Sequence, residues 1–152
     1  MSDITLTIDG RTVHAAPGTT ILEAARSVGI KIPTLCWHED LGAPSACRVC
    51  VVEIVGSRIL QPACSYPVSQ GITVRTNSPV VREARRMAVE LLLAHHPDDC
   101  LSCARNLRCE LQQLASDFGI REIRFERIER GLPKDESSPS IVRDPEKCIN
   151  CR

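Results

Sequence analysis

Aromatic residues are scarce in this sequence, and neither sign of charge is in excess. The 152 residues include one Trp, one Tyr and two Phe, and 19 Lys and Arg balance 19 Asp and Glu. Few aromatic rings are available to stack on nucleic-acid bases, and no surplus of positive charge is available to neutralise a phosphate backbone. The composition therefore argues against nucleic acid as a partner.

Long apolar runs and catalytic motifs are also lacking. No apolar run approaches the roughly 18 residues that span a bilayer, and residues 1–9 lack the basic and apolar stretches of an export signal. A glycine-rich phosphate loop, a nucleophile elbow and an HExxH motif are all missing. We therefore expect a cytoplasmic protein without a transmembrane segment, and we assign it no catalytic residue.

Cysteine, by contrast, is abundant, with nine residues in the chain. In a reducing compartment disulfides are disfavoured, and clustered cysteines more often bind metal or take part in redox chemistry. The odd count also argues against a closed disulfide framework. The length allows one ordinary domain or two small ones, which argues against a large two-lobed catalytic body.

The N-terminal pattern predicts a ubiquitin-like β-grasp. Apolar and polar residues alternate over residues 4–8, and an Asp-Gly turn leads into a second strand over residues 11–15. Thr19 or Thr20, followed by Glu23, is suited to cap a helix. Further strands are predicted over Val49–Val55, Ser57–Leu60 and Gly71–Arg75.

The pattern changes to helical near residue 78. Ser78 is a good N-cap with Pro79 at the first helical position, and apolar residues recur at helical spacing as far as His95. A second helix is predicted over residues 109–118, and residues 131–140 have the composition of a linker. We predict an α+β protein with three parts: residues 1–78 (the β-grasp), 79–119 (a helical domain) and 120–152 (a linker and a further cysteine motif).

Three arginines occur on the helix that follows Ser78, at Arg82, Arg85 and Arg86. Charge runs of this kind usually do no more than face the solvent. We therefore expect these arginines to form a solvated face of the helix.

The first cysteine group is Cys36, Cys47, Cys50 and Cys64, which are separated by ten, two and thirteen residues. Small residues fill the loop between Cys36 and Cys47, and such a loop can direct backbone N–H groups at sulfur. This arrangement favours a [2Fe–2S] cluster. A zinc site is the alternative, although structural zinc usually joins two CxxC pairs and only one is present here.

The second group is His96, Cys100, Cys103 and Cys109, which lie within fourteen residues at a turn between two predicted helices. Such crowding is able to enclose a [4Fe–4S] cluster. Structural zinc uses the same ligand types, with three cysteines and one histidine. The residues alone leave both metals open.

Both patterns, in this order, resemble the N-terminal region shared by the large iron–sulfur subunit of respiratory complex I, the alpha subunit of NAD-linked formate dehydrogenases and iron-only hydrogenases. The resemblance implies that the first four cysteines ligate one [2Fe–2S] cluster. It also implies that His96, rather than its neighbour His95, joins three cysteines around a [4Fe–4S] cluster. Trp37 and His38 have no ligand role in that family.

A third motif, with Cys148 and Cys151, opens like the cysteine run of bacterial ferredoxins. Two cysteines do not complete a cubane cluster. We expect either a fragment of a longer protein, in which a further [4Fe–4S] cluster is completed, or a short subunit whose last pair is free, binds zinc or is completed by a partner.

The resemblance implies an electron-transfer module that passes single electrons between its clusters within a larger oxidoreductase. The implied partners are other subunits of a redox complex, including a flavin-bearing subunit that oxidises NADH. The approach to Cys148 most resembles catalytic subunits of multimeric NAD-linked iron-only hydrogenases, with formate dehydrogenase second and complex I third. A zinc-stabilised interaction module and a redox-sensing regulator are the rival interpretations.

Overall fold

The N-terminal part of the chain forms a mixed five-stranded sheet. The computed structural model describes residues 3–149, and its strands are β1 (Ile4–Ile8), β2 (Arg11–Ala15), β3 (Val51–Ile54), β4 (Gln61–Pro62) and β5 (Thr73–Arg75). The strand order is β2, β1, β5, β3, β4. β1 is antiparallel to β2 and parallel to β5, whereas β3 is antiparallel to both β4 and β5.

Local sequence signals explain how this sheet begins. Asp9 and Gly10 adopt left-handed backbone conformations, with φ of 47° and 80°, which suit the turn between β1 and β2. Helix α1 (Ile21–Ser27) begins with a capping box, in which Thr20 and Glu23 each accept a hydrogen bond from the other's backbone N–H. The predicted hairpin and the predicted cap are therefore confirmed.

Two longer helices follow the sheet. Helix α2 (Pro79–Ala94) has Ser78 as its N-cap, and helix α3 (Glu110–Asp117) has Cys109 at the same position. These bounds confirm the two predicted helices, and a 3-10 helix (Pro145–Lys147) comes later. Within residues 3–149, no helix combines the length and the apolar content that crossing a membrane requires.

Apolar side chains form two cores. The first lies between the sheet and α1. The second joins α2 and α3 to the loop that precedes β3, and we call it the second core. Its buried members are Leu35, Cys36, Cys47, Val49, Val89, Leu111 and Leu114.

The strand predicted over Ser57–Leu60 is not formed, because the chain bends there. The Ser57 hydroxyl accepts a hydrogen bond from the Ile59 N–H and donates one to the Ile59 carbonyl, at 3.3 and 2.9 Å. Such local side-chain bonds compete with sheet pairing. The pairing with β3 begins later, at β4.

The prediction of a solvated arginine face is wrong at Arg85, which is only 5% exposed. Its Nε and Nη2 atoms donate to the Val51 carbonyl at 3.2 and 2.8 Å. Val81, Arg85 and Val89 follow at four-residue intervals and are all buried, so Arg85 lies within the inward stripe of α2. Arg82 is exposed, as predicted.

Candidate metal centres

The four cysteines of the first group lie around the loop before β3. Cys36, Cys47 and Cys50 belong to this loop, and Cys64 follows β4. All four are buried, with at most 6% of each residue exposed. The antiparallel pairing of β3 with β4 brings Cys50 beside Cys64, and the Ala63 N–H donates to the Cys50 carbonyl at 3.2 Å.

The thiols of this group lie close to one another. Cys36 is near enough to Cys47, and Cys64 near enough to Cys50, to shift the pKa of the neighbouring thiol. The Cys47 N–H donates to the Cys36 sulfur at 3.5 Å, and the Ser45 hydroxyl lies 3.5 Å from the Cys64 sulfur. The structure therefore brings all four cysteines together.

These contacts change the acidity of the thiols. The pKa of Cys50 is raised by its hydrogen bond to Cys64 and then by burial. The pKa of Cys64 is lowered to about 6, first because Cys50 donates to its sulfur, and Ser45 contributes in the same direction. Burial raises the pKa of Cys47. The thiolate is the form that binds metal, and a lowered pKa favours that form at Cys64.

The backbone of the loop is bent at two residues that carry side chains. Ser45 and Arg48 have φ of 56° and 58°, a left-handed conformation that is uncommon outside glycine. Arg48 lies between Cys47 and Cys50 and tightens the turn that joins them. Such conformations persist where the surrounding structure requires them, often at functional sites.

The second group lies between the end of α2 and the start of α3. One cavity there has both thiol and apolar side chains in its wall, including Leu93 and Leu111. The pKa of Cys100 is raised mainly by burial, and neighbouring negative charges add to this shift. The predicted ligands that line this cavity are His96, Cys100, Cys103 and Cys109.

The two adjacent histidines have different surroundings. The His96 ring lines the cavity with the three cysteines, and its Nδ1 lies 3.2 Å from the Pro97 carbonyl. His95 is exposed, its Nδ1 lies 2.8 Å from the Leu91 carbonyl, and it does not line that cavity. An Nδ1–H bond to the Pro97 carbonyl leaves Nε2 of His96 as the atom available to a metal.

A single zinc ion and an iron–sulfur cluster require different arrangements of their ligands. Structural zinc needs four ligands at about 2.0–2.3 Å from one point. Within residues 3–149, no three His, Cys, Asp or Glu side chains are grouped so that they could hold one metal ion. Iron–sulfur clusters spread their protein ligands over several iron atoms, so ligands distributed around a cavity fit them.

The third motif lies close to both groups. Cys148 is exposed and lines a cavity together with Cys47 and His95. The preceding residue, Lys147, donates to the Asp99 carboxylate at 2.5 Å, and so joins this segment to the loop of the second group. Cys151, the other predicted ligand of this motif, lies outside the described residues.

Sequence reasoning missed a buried ion pair as well as the buried arginine. Glu90 has no exposed surface, and its carboxylate accepts bonds from the Arg124 Nε at 3.0 and 3.1 Å and also contacts the Arg124 Nη2. No local pattern signals a pair so distant along the chain. Arg85 did have a signal, because it lies at helical spacing between Val81 and Val89.

Two family models match the chain. Residues 2–79 match the 2Fe-2S iron-sulfur cluster binding domain, and residues 85–124 match the NADH-ubiquinone oxidoreductase-G iron-sulfur binding region. The two matches occur in the order in which the two ligand groups occur.

Similar proteins include subunits of hydrogenases and of NADH-ubiquinone oxidoreductases. The chain is 49% identical over 158 residues to NADP-reducing hydrogenase subunit HndD of Solidesulfovibrio fructosivorans, with 100% of this chain and 27% of that protein covered. It is 37% identical over 144 residues to the NADH-ubiquinone oxidoreductase 75 kDa subunit of Reclinomonas americana, with 95% and 21% covered. A crystal structure of an NAD+-reducing [NiFe]-hydrogenase in the H2-reduced state matches with a TM-score of 0.91 at 36% identity, covering 97% of this chain and 62% of that chain.

The fold and the two ligand groups define an iron–sulfur protein. The chain belongs to the family of the 2Fe-2S iron-sulfur cluster binding domain. Its cofactors are a [2Fe–2S] cluster and a [4Fe–4S] cluster, and it is an electron-transfer module. The chain spans about a quarter of the length of the two curated relatives described above.

Proposed function

We propose that the chain is the N-terminal iron–sulfur part of the catalytic subunit of an NAD-linked iron-only hydrogenase. When bound, each cluster accepts and releases one electron at a time. The 49% identity to a subunit of an NADP-reducing hydrogenase supports this choice. A similar chain occurs in an NAD+-reducing [NiFe]-hydrogenase, so the module alone does not distinguish an iron-only hydrogenase from a [NiFe]-hydrogenase.

A complex I-type NADH dehydrogenase is the second candidate. It is favoured by the 37% identity to the NADH-ubiquinone oxidoreductase 75 kDa subunit of Reclinomonas americana. The residues that follow Arg152 in the complete protein separate the candidates. Hydrogenase cysteine motifs there support the first, and their absence overturns it.

The ligands follow from the two groups. In this proposal Cys36, Cys47, Cys50 and Cys64 hold the [2Fe–2S] cluster, and His96, Cys100, Cys103 and Cys109 hold the [4Fe–4S] cluster. The proximity of the first four cysteines and the common cavity of the second four residues support the assignment. Cys148 and Cys151 would begin a further [4Fe–4S] site in the complete protein.

The observation that carries the electron-transfer role is the second core, which lies between the two ligand groups. Cys36 and Cys47 are buried members of this core, and Cys109 packs against it. Leu35, which precedes Cys36, also lines a cavity with His96 and Cys109. Apolar side chains thus bring the two groups close together, an arrangement that suits transfer of electrons from one site to the other.

The domain organisation and partners belong to the same proposal. The N-terminal hairpin, the helix that follows it and the parallel pairing of β1 with β5 are consistent with a β-grasp over residues 1–78. Residues 79–119 would form the helical [4Fe–4S] domain, and residues 120–152 the approach to the next cluster. We infer a flavin-bearing, NADH-oxidising subunit as a partner, in the cytoplasm.

The proposal is tested by anaerobic purification of the full chain. Brown protein with iron, acid-labile sulfide and two distinct electron paramagnetic resonance (EPR) signals after reduction is the expected result. Colourless protein that contains zinc and no sulfide would establish the zinc-stabilised module instead. Reduction and reoxidation without loss of either signal would argue against a sensor that works through a labile cluster.

A further inference from the structure

Arg85 is a residue of α2, and its side chain reaches β3 close to the first ligand group. Its guanidinium donates to the Val51 carbonyl through two nitrogen atoms, at 3.2 and 2.8 Å. Val51 directly follows Cys50, so the cation lies beside the backbone of a proposed cluster ligand. It is almost completely removed from solvent.

The guanidinium of Arg85 has no carboxylate partner within residues 3–149, since none of the ion pairs in that range includes it. The carboxylate of Asp9 acts on Arg85 through its charge, but it is hydrogen-bonded to Thr76. A buried charge without a counter-charge is costly. Burial lowers the pKa of Arg85 to about 10, and negative charge at Cys50 and Asp9 opposes that shift.

We propose that the counter-charge of Arg85 is the thiolate-ligated [2Fe–2S] cluster, and that this guanidinium raises the reduction potential of the cluster. The inference rests on the proposed assignment of Cys50 as a ligand. A [2Fe–2S] core with four thiolates carries a charge of about −2, and reduction adds one more negative charge. A fixed cation in a low-dielectric surrounding therefore stabilises the reduced form more than the oxidised form.

Arg82 provides a matched control on the same helix. It lies one turn before Arg85, is exposed, and donates to the Asn77 carbonyl at 2.8 Å. Salt and water screen an exposed charge far more than a buried one. Removing either charge changes the net charge by the same amount, so only position distinguishes the two variants.

The test is a redox titration of the cluster-loaded full chain, followed through the EPR signal of the reduced [2Fe–2S] cluster. Arg85→Gln should lower the equilibrium constant for one-electron reduction at least tenfold, which is a shift of 59 mV. Arg85→Lys keeps the charge and should retain most of the wild-type potential. Arg82→Gln should change the constant less than threefold.

The outcomes separate this inference from the function on which it rests. Wild-type chain without a [2Fe–2S] signal overturns the proposed function. A normal signal whose potential is the same in Arg85→Gln and Arg82→Gln overturns only the role of Arg85. If Arg85→Gln does not take up the [2Fe–2S] cluster, Arg85→Lys decides. A cluster-loaded Arg85→Lys with the wild-type potential supports the charge effect. A lowered potential in Arg85→Lys, or failure of both variants to take up the cluster, overturns it and indicates a hydrogen-bonding or packing role.

Discussion

The cysteines of the two ligand groups differ in how deeply they are buried. The four cysteines of the first group are buried, whereas Cys100, Cys103 and Cys109 are only partly buried. Burial and hydrogen bonds to sulfur both change the properties of a cluster. Each group is assigned to its own cluster, so a substitution that keeps the packing of the second core should affect the spectrum of one group without removing the other.

Cys47→Ser should remove the EPR signal of the [2Fe–2S] cluster and leave that of the [4Fe–4S] cluster. Serine keeps the size of the side chain but does not supply the soft thiolate that iron–sulfur clusters require. Cys109→Ser is the reciprocal variant and should have the opposite effect. Loss of both signals in either variant would contradict the assignment of these ligands to separate clusters.

His96→Cys should retain a [4Fe–4S] cluster with a lower reduction potential. A thiolate in place of a neutral imidazole adds negative charge to the site, and imidazole ligation raises the potential of Rieske centres. We expect at least a tenfold fall in the equilibrium constant for reduction, or 59 mV. The matched variant His95→Cys should leave the potential unchanged, and a shift there in place of His96 would reassign the ligand.

At the level of elements, α2 makes contacts in three directions. Arg85 bonds to β3, Val89 enters the second core, and Glu90 pairs with Arg124 in the segment that follows α3. Residues 120–130 contain no regular secondary structure. Their position therefore depends on side-chain contacts of this kind.

Glu90→Gln should loosen residues 120–130 from α2. The Arg124 guanidinium keeps the pKa of Glu90 below its usual range, so the carboxylate is charged at neutral pH, and its neutral isostere gives up the ion pair. We expect trypsin to cleave after the arginines of this segment several-fold faster. The control is Glu83→Gln, because Glu83 is exposed and lies 3.7 Å from Arg124. Equal rates in the two variants would show that the buried pair does not hold the segment.

Over the whole molecule, the second core joins the β-sheet part of the chain to its helical part. Loop residues before β3 and residues of α2 and α3 all contribute to it. The apolar contacts therefore cross the boundary between the two family matches. Loosening this core should affect both cluster sites together.

Val89→Ala should destabilise the holo-protein by about 2 kcal/mol, because it removes two methyl groups from a site without exposed surface. Both clusters should be lost at lower chaotrope concentrations, as judged from their separate EPR signals. Leu91→Ala, at a residue that is 42% exposed, is the control and should change little. Loss of only one cluster would contradict a core shared by the two sites.

Several elements could be predicted because their signals are local. Ser78 and Pro79 predict the start of α2, and Thr20 with Glu23 predicts the cap of α1. The prediction of a strand over Ser57–Leu60 was wrong, because the residues that pair with β3 are the two residues of β4. The burial of Arg85 was also missed, since a charge on a helix ordinarily faces water.

The sequence by itself determined which side chains are available to bind metal, through cysteine spacings that are local properties of the chain. Only the tertiary structure decided that Cys50 lies beside Cys64, that Cys36 and Cys47 enter a core with α2 and α3, and that the buried Arg85 donates to the Val51 carbonyl. The physical reason is distance along the chain. Arg85 and Val51 are 34 positions apart, and a hydrogen bond between such residues depends on packing that no short pattern encodes.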